Sequence, residues 1–528
     1  MLYTLNIFNS IKNNVDNELL KFILILTLSV GFISYGFGYY NLGFSHDSLH
    51  IYLKGLGLGQ LSIGRPFTSF IYDFFENYNN KFIMGGASLL FISFSVYTTV
   101  KIFSILLCFD KRQQKLLSVV ISLLYLFNIA FISLNATYSF QICCDTLALL
   151  TATIAVYVVF NKQDYKKICL SIIFCTISIG LYQAYINVFL ALFICILIIK
   201  LYLGDYYSTV LRTGIIYFLI VLTASILYFV IWKYLMLKHN LTAPNSYNSP
   251  SNIGYTSFED LVNWIFVSVK NTSDTLFKTN SFNIKHMRLF NIMCLIIIIV
   301  GAVKVLITSR GIFNKLLLIL LFSLFILSLN ITNIVSKDVF HNLMAFAVCL
   351  VNGVAFVILL KNGKRIVINM FLIWLAVISF HCCNFYNTVS MMKVMELEAT
   401  YSHFSRILQR IESIPDFNRN IDIILMEPLE RSEYFNQNTN SIFFKKKHIT
   451  GCAQNVAATY APQLFADFYG LGLKIYPIND SDSIKSLDLT NDQIALINSL
   501  SPYPALDSVK RVGKYIVVKN SNTLYNLN

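Results

Sequence analysis

The chain has 528 residues, of which 56% are hydrophobic and 13% are charged, and its formal net charge is +14. Because soluble domains carry about 25% charged residues, this composition excludes an ordinary soluble protein. The positive charge does not indicate a nucleic-acid-binding protein, since the Lys and Arg residues are spread over many short loops instead of one soluble face.

Continuous apolar runs predict a polytopic α-helical membrane protein with about eleven transmembrane helices. A run of about 20 apolar residues is long enough to cross a bilayer as a helix, and only helices and closed barrels satisfy their backbone groups in lipid. The runs do not alternate with polar residues, which favours helices over strands. We place the helices at 22–40, 82–108, 116–134, 142–160, 168–184, 186–203, 213–236, 289–309, 315–331, 342–360 and 366–386. No small-residue cleavage site follows the first run, so we expect it to be retained.

Several short basic loops fall on one side of the membrane if the number of helices is eleven. By the positive-inside rule that side is the cytoplasm, and the N-terminus lies there too. The basic loops are 109–115, 161–167, 200–212, 310–315 and 361–365. The opposite side then receives the loop 41–81, the turn between Tyr182 and Asn187, the long loop 237–288 and the tail from 387 onward.

The composition of the tail changes sharply, which predicts two domains, 1–386 in the membrane and 387–528 outside it. The segment 396–412 is typical of an amphipathic helix, and 421–425 and 515–518 are typical of strands. A short helix is predicted at 463–469. Together these elements predict a small α/β domain on the outer side.

The chain has 11 cysteines, most of them inside apolar runs, and no CxxC spacing that would indicate a zinc site. Cys382, Cys383 and Cys452 are predicted at or beyond the membrane edge. In an oxidising compartment Cys452 could form a disulfide with one of the other two. Three free thiols are the alternative.

The first outer loop carries the strongest candidate site. Asp47 follows the first helix at the membrane–water boundary, where a carboxylate can accept a proton from a sugar hydroxyl as a general base. Arg65 can bind a phosphate through its planar fork of N–H groups. The alternative is that both are ordinary solvated loop residues. Rival carboxylates are Asp73 and Glu76, and His46 could orient Asp47 or bind a sugar.

A second candidate is the turn from Ser178 to Tyr185, in which Tyr182 and Gln183 could stack on and hydrogen-bond a sugar. An interfacial aromatic belt would explain Tyr182 equally well, but it does not explain Gln183. Asp145 begins the fourth helix. An ionisable residue at membrane depth indicates function, although Asp145 could instead interact with the helix dipole.

Two further cations, Arg288 and Lys337, are predicted on the outer side, where they could bind a phosphate. The alternative for each is snorkelling of a long side chain to the interface. The chain has no GxxxxGK[ST] phosphate loop, no HExxH and no GxSxG. The motifs of nucleotide-driven transport, zinc proteolysis and serine hydrolysis are therefore missing.

Asp47 in the first outer loop, the Gly64-Arg65 pair and the Gly180-Leu181-Tyr182-Gln183 turn together resemble the GtrII-type serotype-converting O-antigen glucosyltransferases. Members of that family often carry two adjacent acidic residues where this chain has His46-Asp47. The resemblance implies a GT-C-like glycosyltransferase of the bacterial inner membrane. Its donor would be undecaprenyl-phosphate-linked glucose on the periplasmic face, and its acceptor would be a sugar of the O-antigen of lipopolysaccharide.

The resemblance implies further expectations about partners and cofactors. A flippase and a donor synthase would supply the lipid-linked hexose. Some GT-C enzymes use a divalent metal, but a single Asp offers little to hold one, so we expect no cofactor and no metal. An O-antigen polymerase or ligase, a transporter or flippase of lipid-linked sugars, and a scaffolding subunit remain alternatives. A transporter would be expected to show intramembrane charges that face a central cavity, and inverted repeats. The sequence has few charges well inside the helices and no such repeat.

Overall fold

The computed structural model describes a helical protein that divides into two compact units. One unit is Met1–Gly36, Leu56–Asn135 and Ser139–Tyr386, and the other is Phe37–Gly55, Ala136–Tyr138 and Asn387–Asn528. The residues described are 16–41, 43, 51, 58–74, 80–242, 254, 257–278, 285–308, 311–337, 340–426, 463, 466–467, 470–478 and 487–520.

The described helices are numbered here in chain order. They are α1 Asn17–Tyr40, α2 Gly59–Ser62, α3 Pro66–Phe74, α4 Lys81–Leu107, α5 Lys111–Leu126, α6 Ile129–Thr137, α7 Ile142–Val159, α8 Tyr165–Leu181, α9 Ile186–Tyr202, α10 Tyr207–Lys238, α11 Phe258–Phe277, α12 Lys285–Thr308, α13 Ile312–Ser328, α14 Ile331–Ser336, α15 Cys349–Asn362, α16 Arg365–Glu412 and α17 Asn491–Ser499. Short 3₁₀ turns at Ser139–Gln141, Gln183–Tyr185 and Asn342–Val348 precede α7, α9 and α15.

A helix lies at each of the eleven positions predicted from the apolar runs. Within the described residues, eight helices are long and apolar enough to cross a membrane by themselves. A ninth candidate is the pair α5 and α6, which is bent by 43° at the break between them. The chain is therefore a polytopic helical membrane protein, while a total of eleven spans stays a prediction.

Two regions differ from the sequence prediction. The long loop 237–288 contains the 20-residue helix α11, which begins at the N-cap Ser257 and carries two acidic residues in its first turn. Its polar face interrupts the apolar run that would have indicated a helix. The predicted helices 366–386 and 396–412 form one continuous helix of 48 residues, α16, because no Gly or Pro interrupts the sequence between them.

Polar side chains tie the membrane helices together. Asn187, at the start of α9, donates to the hydroxyl of Thr332 over 3.1 Å and accepts the Thr332 N–H over 3.1 Å, so the beginnings of α9 and α14 are joined. Thr27 and Ser122 share a hydrogen bond of 3.2 Å between α1 and α5. Such bonds matter in lipid because an unpaired polar group there has no water to bind.

The second unit contains a four-stranded sheet with strand order β2-β1-β4-β3. Its strands are β1 Asp422–Met426, β2 Lys474–Ile478, β3 Val509–Val512 and β4 Tyr515–Lys519. Strand β1 is parallel to both β2 and β4, with Ile424 opposite Tyr476 and Val517, and β3 is antiparallel to β4. The strands predicted at 421–425 and 515–518 are confirmed to within one residue.

Alternate residues of the sheet enter two different cores, as the two-residue period of a strand requires. On one face Ile423 and Ile516 pack with Phe404 and Ile407 of α16. On the other face Ile424 and Val517 pack with Ile494 and Ile497 of α17. The second unit is thus an α/β structure with helices on both faces of the sheet. Gln463, Ala466 and Asp467, the described residues of the predicted helix 463–469, are helical.

The cysteines predicted at the end of the membrane region, Cys382 and Cys383, lie in helix α16. Cys382 is buried and its thiol is free. Both cysteines lie inside the candidate span Arg365–Met395, and their position at the membrane edge stays a prediction. Cys452 lies outside the described residues, so the disulfide stays an open alternative.

Candidate active site

The candidate site is built on the turn between the short helices α2 and α3. Gly64 has a φ of 86°, a left-handed conformation that only glycine adopts without strain. The N–H of Gly64 donates to the carbonyl of Leu61 over 3.0 Å, and the N–H of Arg65 donates to the carbonyl of Gln60 over 2.9 Å. This turn places Arg65 immediately before Pro66, which begins α3 as proline often does at a first helical position.

Three side chains from other helices hold this turn. Gln183 donates through Nε2 to the carbonyls of Ile63 and Gly64 over 3.0 and 2.7 Å. From α10, the hydroxyl of Tyr228 also donates to the Gly64 carbonyl, over 2.8 Å. Trp232 donates its indole N–H to the carbonyl of Leu61 over 2.9 Å. The backbone of the turn is therefore held by side chains from other parts of the chain.

A close contact between α3 and α8 adds to this support. Thr68 donates its hydroxyl to the carbonyl of Leu181 over 2.8 Å, where α8 ends and its carbonyls lack helical partners. A Cβ atom at Gly180 would lie 2.4 Å from the ring of Phe67. Glycine at 180 is thus what allows α3 to approach α8.

The turn presents Arg65, a half-buried guanidinium held by neutral groups. Its Nη1 donates to the side-chain oxygens of Gln60 and Gln141 over 3.0 and 2.9 Å. The guanidinium carbon lies 4.4 Å from the centroid of the Tyr182 ring, a cation–π arrangement. Nε of Arg65 is buried and has no hydrogen-bond partner among the described residues. No described carboxylate forms an ion pair with Arg65 within 4.0 Å.

Arg65 lines a cavity of about 190 Å³ whose other walls are mostly apolar. Tyr182, Gln183 and Tyr228 belong to the same cavity. Apolar walls come from α8, α9, α10 and α14, and they include Ile179, Ile186, Phe229, Ile331 and Val335. A single cation in an apolar cavity suits a ligand with one anionic group joined to hydrocarbon.

Asp145 lies in the first turn of α7 and is buried, with 5% of its surface exposed. The carboxylate of Asp145 is close enough to Arg65 for the two charges to interact. Asp145 follows Gln141 by four residues, a spacing that brings both side chains to one face of a helix. Its position fits the interaction with the helix dipole considered as an alternative, and it also places a carboxylate near the candidate site.

The three predicted residues Arg65, Tyr182 and Gln183 come together in this cavity, whereas the two other predicted cations do not line it. Lys337 directly follows the lining residue Ser336, but its Nζ is 3.3 Å from the carboxylate of Asp260 in α11. Arg288 is exposed in the first turn of α12. The side-chain N–H groups of Gln183 already donate to the carbonyls of Ile63 and Gly64. The predicted contact of Gln183 with a sugar would therefore have to use Oε1.

The structure does not describe the side chains of the predicted base or of its nearest alternatives. Asp47, His46 and Glu76 lie outside the described residues, and Asp73 lies in α3 with its side chain outside the description. In the part of the chain that is described, no three His, Cys, Asp or Glu side chains come together as metal ligands would.

Sequence reasoning missed Gln60, Gln141 and Tyr228. The only signal for Gln141 was its position just before the cysteine pair and Asp145, between two apolar runs. Gln60 lies five residues before Arg65 without any recognisable motif. Their role follows from a contact between distant parts of the chain, which one sequence does not reveal.

One comparison with known proteins identifies a family. The sequence profile described as "Glucosyl transferase GtrII" matches residues 36–358, more than half of the chain, and this range contains the turn, the cavity and every described side chain of the candidate site. No curated protein and no solved structure shows significant similarity to the chain. The match over this range shows that the chain belongs to the GtrII glucosyl transferase family.

Proposed function

We propose that this protein transfers a hexose, glucose, from a polyprenyl-phosphate donor to the O-antigen of lipopolysaccharide at the periplasmic face of the bacterial inner membrane. Membership of the glucosyl transferase family supports the transfer of glucose. The observation that carries the donor class is Arg65, a guanidinium without an ion-pair partner among the described carboxylates, at the wall of an apolar cavity.

A polyprenyl-phosphate sugar matches this cavity in two respects. Its phosphate is an anion that a guanidinium binds through two parallel N–H groups, and its lipid is hydrocarbon that apolar walls can contact. The Tyr182 ring beneath the guanidinium keeps the side chain in place without removing its charge. A donor held in the membrane also accounts for a transferase with many apolar helices.

The proposed reaction is a displacement at the anomeric carbon of the donor hexose. The oxygen of an acceptor hydroxyl forms the new bond to that carbon, while the bond from the carbon to the phosphate oxygen breaks. The electron pair leaves with polyprenyl phosphate, and Asp47 accepts the hydroxyl proton. Arg65 stabilises the negative charge that develops on the leaving phosphate, which is the effect expected of a preorganised cation in a site of low polarity.

We propose that the reaction needs no metal and no organic cofactor, because Arg65 supplies positive charge and Asp47 a base. The α/β unit would lie in the periplasm and help to hold the acceptor glycan. A flippase and a donor synthase would provide the lipid-linked hexose. Lys337 and Arg288 remain proposed phosphate contacts, and His46, Tyr182 and Gln183 remain proposed sugar contacts.

The decisive experiment is the O-antigen composition of cells that make the wild-type protein or Asp47→Asn, with membrane insertion of both verified. Asparagine keeps the shape of aspartate and removes the base. We expect the wild type to add a hexose and the variant to add none. If both add it, Asp47 is not the base, and Asp73, Glu76 and Asp145 are the next to substitute. If the wild type adds none where donor and acceptor are both present, the proposed function is wrong.

A further inference from the structure

The two glutamines that bind Arg65 occupy only one of its nitrogens. A guanidinium has five N–H donors, one on Nε and two on each Nη. Both described acceptors, the side-chain oxygens of Gln60 and Gln141, bind Nη1 at 3.0 and 2.9 Å, so its two N–H groups are used. Gln141 is itself buried, with 4% of its surface exposed, and it is the last residue of the 3₁₀ turn Ser139–Gln141.

The opposite edge of the guanidinium has no partner in the described part of the chain. That edge consists of Nε and Nη2, whose N–H bonds are parallel and match two oxygens of one phosphate. Nε is buried without a hydrogen-bond partner among the described residues. Because a buried donor without an acceptor is costly, this edge favours the binding of an anionic ligand.

The acceptors are amides, although a carboxylate is the stronger partner for a guanidinium. A glutamate at position 60 or 141 would make the same hydrogen bond, but it would also cancel the positive charge that an incoming phosphate needs. An amide fixes the side chain and leaves its charge intact. We infer that Gln60 and Gln141 are positioning residues that hold Arg65 without neutralising it, and thereby reserve its Nε/Nη2 edge for the phosphate of the lipid-linked donor. This inference rests on the proposed function.

The test replaces each glutamine with glutamate and with alanine in the full-length protein. Glutamate keeps the shape and the accepting oxygen and adds one negative charge near the phosphate. We expect Gln141→Glu and Gln60→Glu to raise the KM for polyprenyl-phosphate glucose by roughly tenfold or more, because two like charges a few ångströms apart repel strongly at low polarity. The KM for the acceptor should stay unchanged. Inhibition by added undecaprenyl phosphate, the leaving product, should weaken by a similar factor.

The order of the variants separates this role from a purely structural one. If the glutamines only support the fold, alanine should be worse than glutamate, because glutamate preserves the hydrogen bond. If they preserve charge, glutamate should be worse than alanine for donor KM. The matched control is Gln493→Glu, in the first turn of α17, where the side-chain oxygen accepts the N–H of Thr490 and a glutamate can do the same.

Each result has one interpretation. If the Glu variants use the donor like the wild type, while Arg65→Ala does not, the inference about the glutamines is overturned and the proposed function stands. If the wild type fails to use polyprenyl-phosphate glucose, both proposals are overturned, and that result appears before any variant is compared. Thermal unfolding in detergent identifies a variant that fails to fold. In that case the second glutamine, substituted alone, decides the question.

Discussion

The guanidinium of Arg65 lies 4.4 Å from the centroid of the Tyr182 ring, and the next residue after that ring, Gln183, binds the backbone on either side of Gly64. The turn at the end of α8 therefore holds both the side chain of Arg65 and the backbone that presents it. Two short segments far apart in the sequence are thus joined by hydrogen bonds and by a cation–π contact.

Replacing Arg65 should impair the donor more than the acceptor. We expect Arg65→Ala to raise the KM for the donor by one to two orders of magnitude, since a bidentate bond to a charged group is worth about 1.5–3 kcal/mol. Arg65→Lys should recover part of this loss, because lysine keeps the charge but not the planar fork. Steady-state kinetics with donor and acceptor varied separately measure the effect, and Arg112→Ala, at an exposed arginine in the first turn of α5, is the control. Equal effects on both substrates would contradict the assignment of Arg65 to the phosphate.

Substituting Gly180 should destabilise the protein through overpacking. In Gly180→Ala the new methyl group would meet the ring of Phe67 at 2.4 Å, and forcing such a contact typically costs about 1–3 kcal/mol. The double variant Gly180→Ala/Phe67→Ala should be about as stable as Phe67→Ala alone, because the ring that causes the clash is gone. Thermal unfolding in detergent compares the four proteins. Additive losses in the double variant would mean that the two residues do not interact.

Removing divalent metals should leave activity unchanged. The proposed reaction relies on Arg65 and Asp47, so preincubation with EDTA, followed by assay in metal-free buffer, should reduce the rate by less than about twofold, which corresponds to well under 1 kcal/mol in the barrier. A large loss that Mg²⁺ or Mn²⁺ restores would refute the metal-independent mechanism.

The α/β unit should lose stability in mild acid because of His403. This histidine is buried and its ring contacts Tyr503 edge-on; burial, and then the nearby charge of Arg406, lower its pKa from 6.5 to about 4. The unfolded state then binds the proton more strongly than the folded state, so stability falls as the pH decreases from 6.5 towards 4. At pH 5 the loss is about 2 kcal/mol.

Pulse proteolysis of the intact protein in detergent, in a urea series at pH 7.5 and pH 5, measures this loss in the α/β unit. His403→Leu removes the titrating group and should make the stability of that unit nearly equal at the two pH values. If the variant loses as much stability in acid as the wild type, another group is responsible.

Truncating the tail should separate membrane insertion from acceptor use. Deleting residues 397–528 removes the sheet and the end of α16, but it leaves Lys393, which is buried and donates to the carbonyl of Ala136. We expect the shortened protein to insert, because the eight candidate spans end at or before Met395, and to lose transfer to the polymeric acceptor. Normal glucosylation of the polymer by this protein would show that the α/β unit is not needed to hold the acceptor.

Helix positions could be predicted from the sequence because lipid imposes a simple rule on it. A helix surrounded by hydrocarbon must be apolar over its whole length, so each run is visible by itself. Helix α11 was missed because its polar face breaks that run, and the continuity of α16 was missed because apolar character ends before the helix does. The number of spans depends on helices such as α13, which has 17 residues and is short for a bilayer.

The candidate site was predictable only in part for a different reason. Arg65 and Gln183 attract attention because a charge and an amide at the membrane edge need partners. The sequence does not say that Gln183 binds the turn that carries Arg65, because this depends on how α3, α8 and α10 pack. The sequence likewise gave no reason to expect that Gln60 and Gln141 both bind the side chain of Arg65.

The break between α5 and α6 constrains the order in which the chain can reach its final structure. Asn128 occupies the break; its side-chain oxygen accepts the N–H of Ala130 over 2.7 Å, and its nitrogen donates to the carbonyl of Phe346 over 2.9 Å. Phe346 is synthesised 218 residues after Asn128. When α5 and α6 leave the ribosome, the acceptor for this side chain does not yet exist. The bent pair therefore enters the bilayer without that bond, and it reaches its final form only after the segment before α15 has been translated.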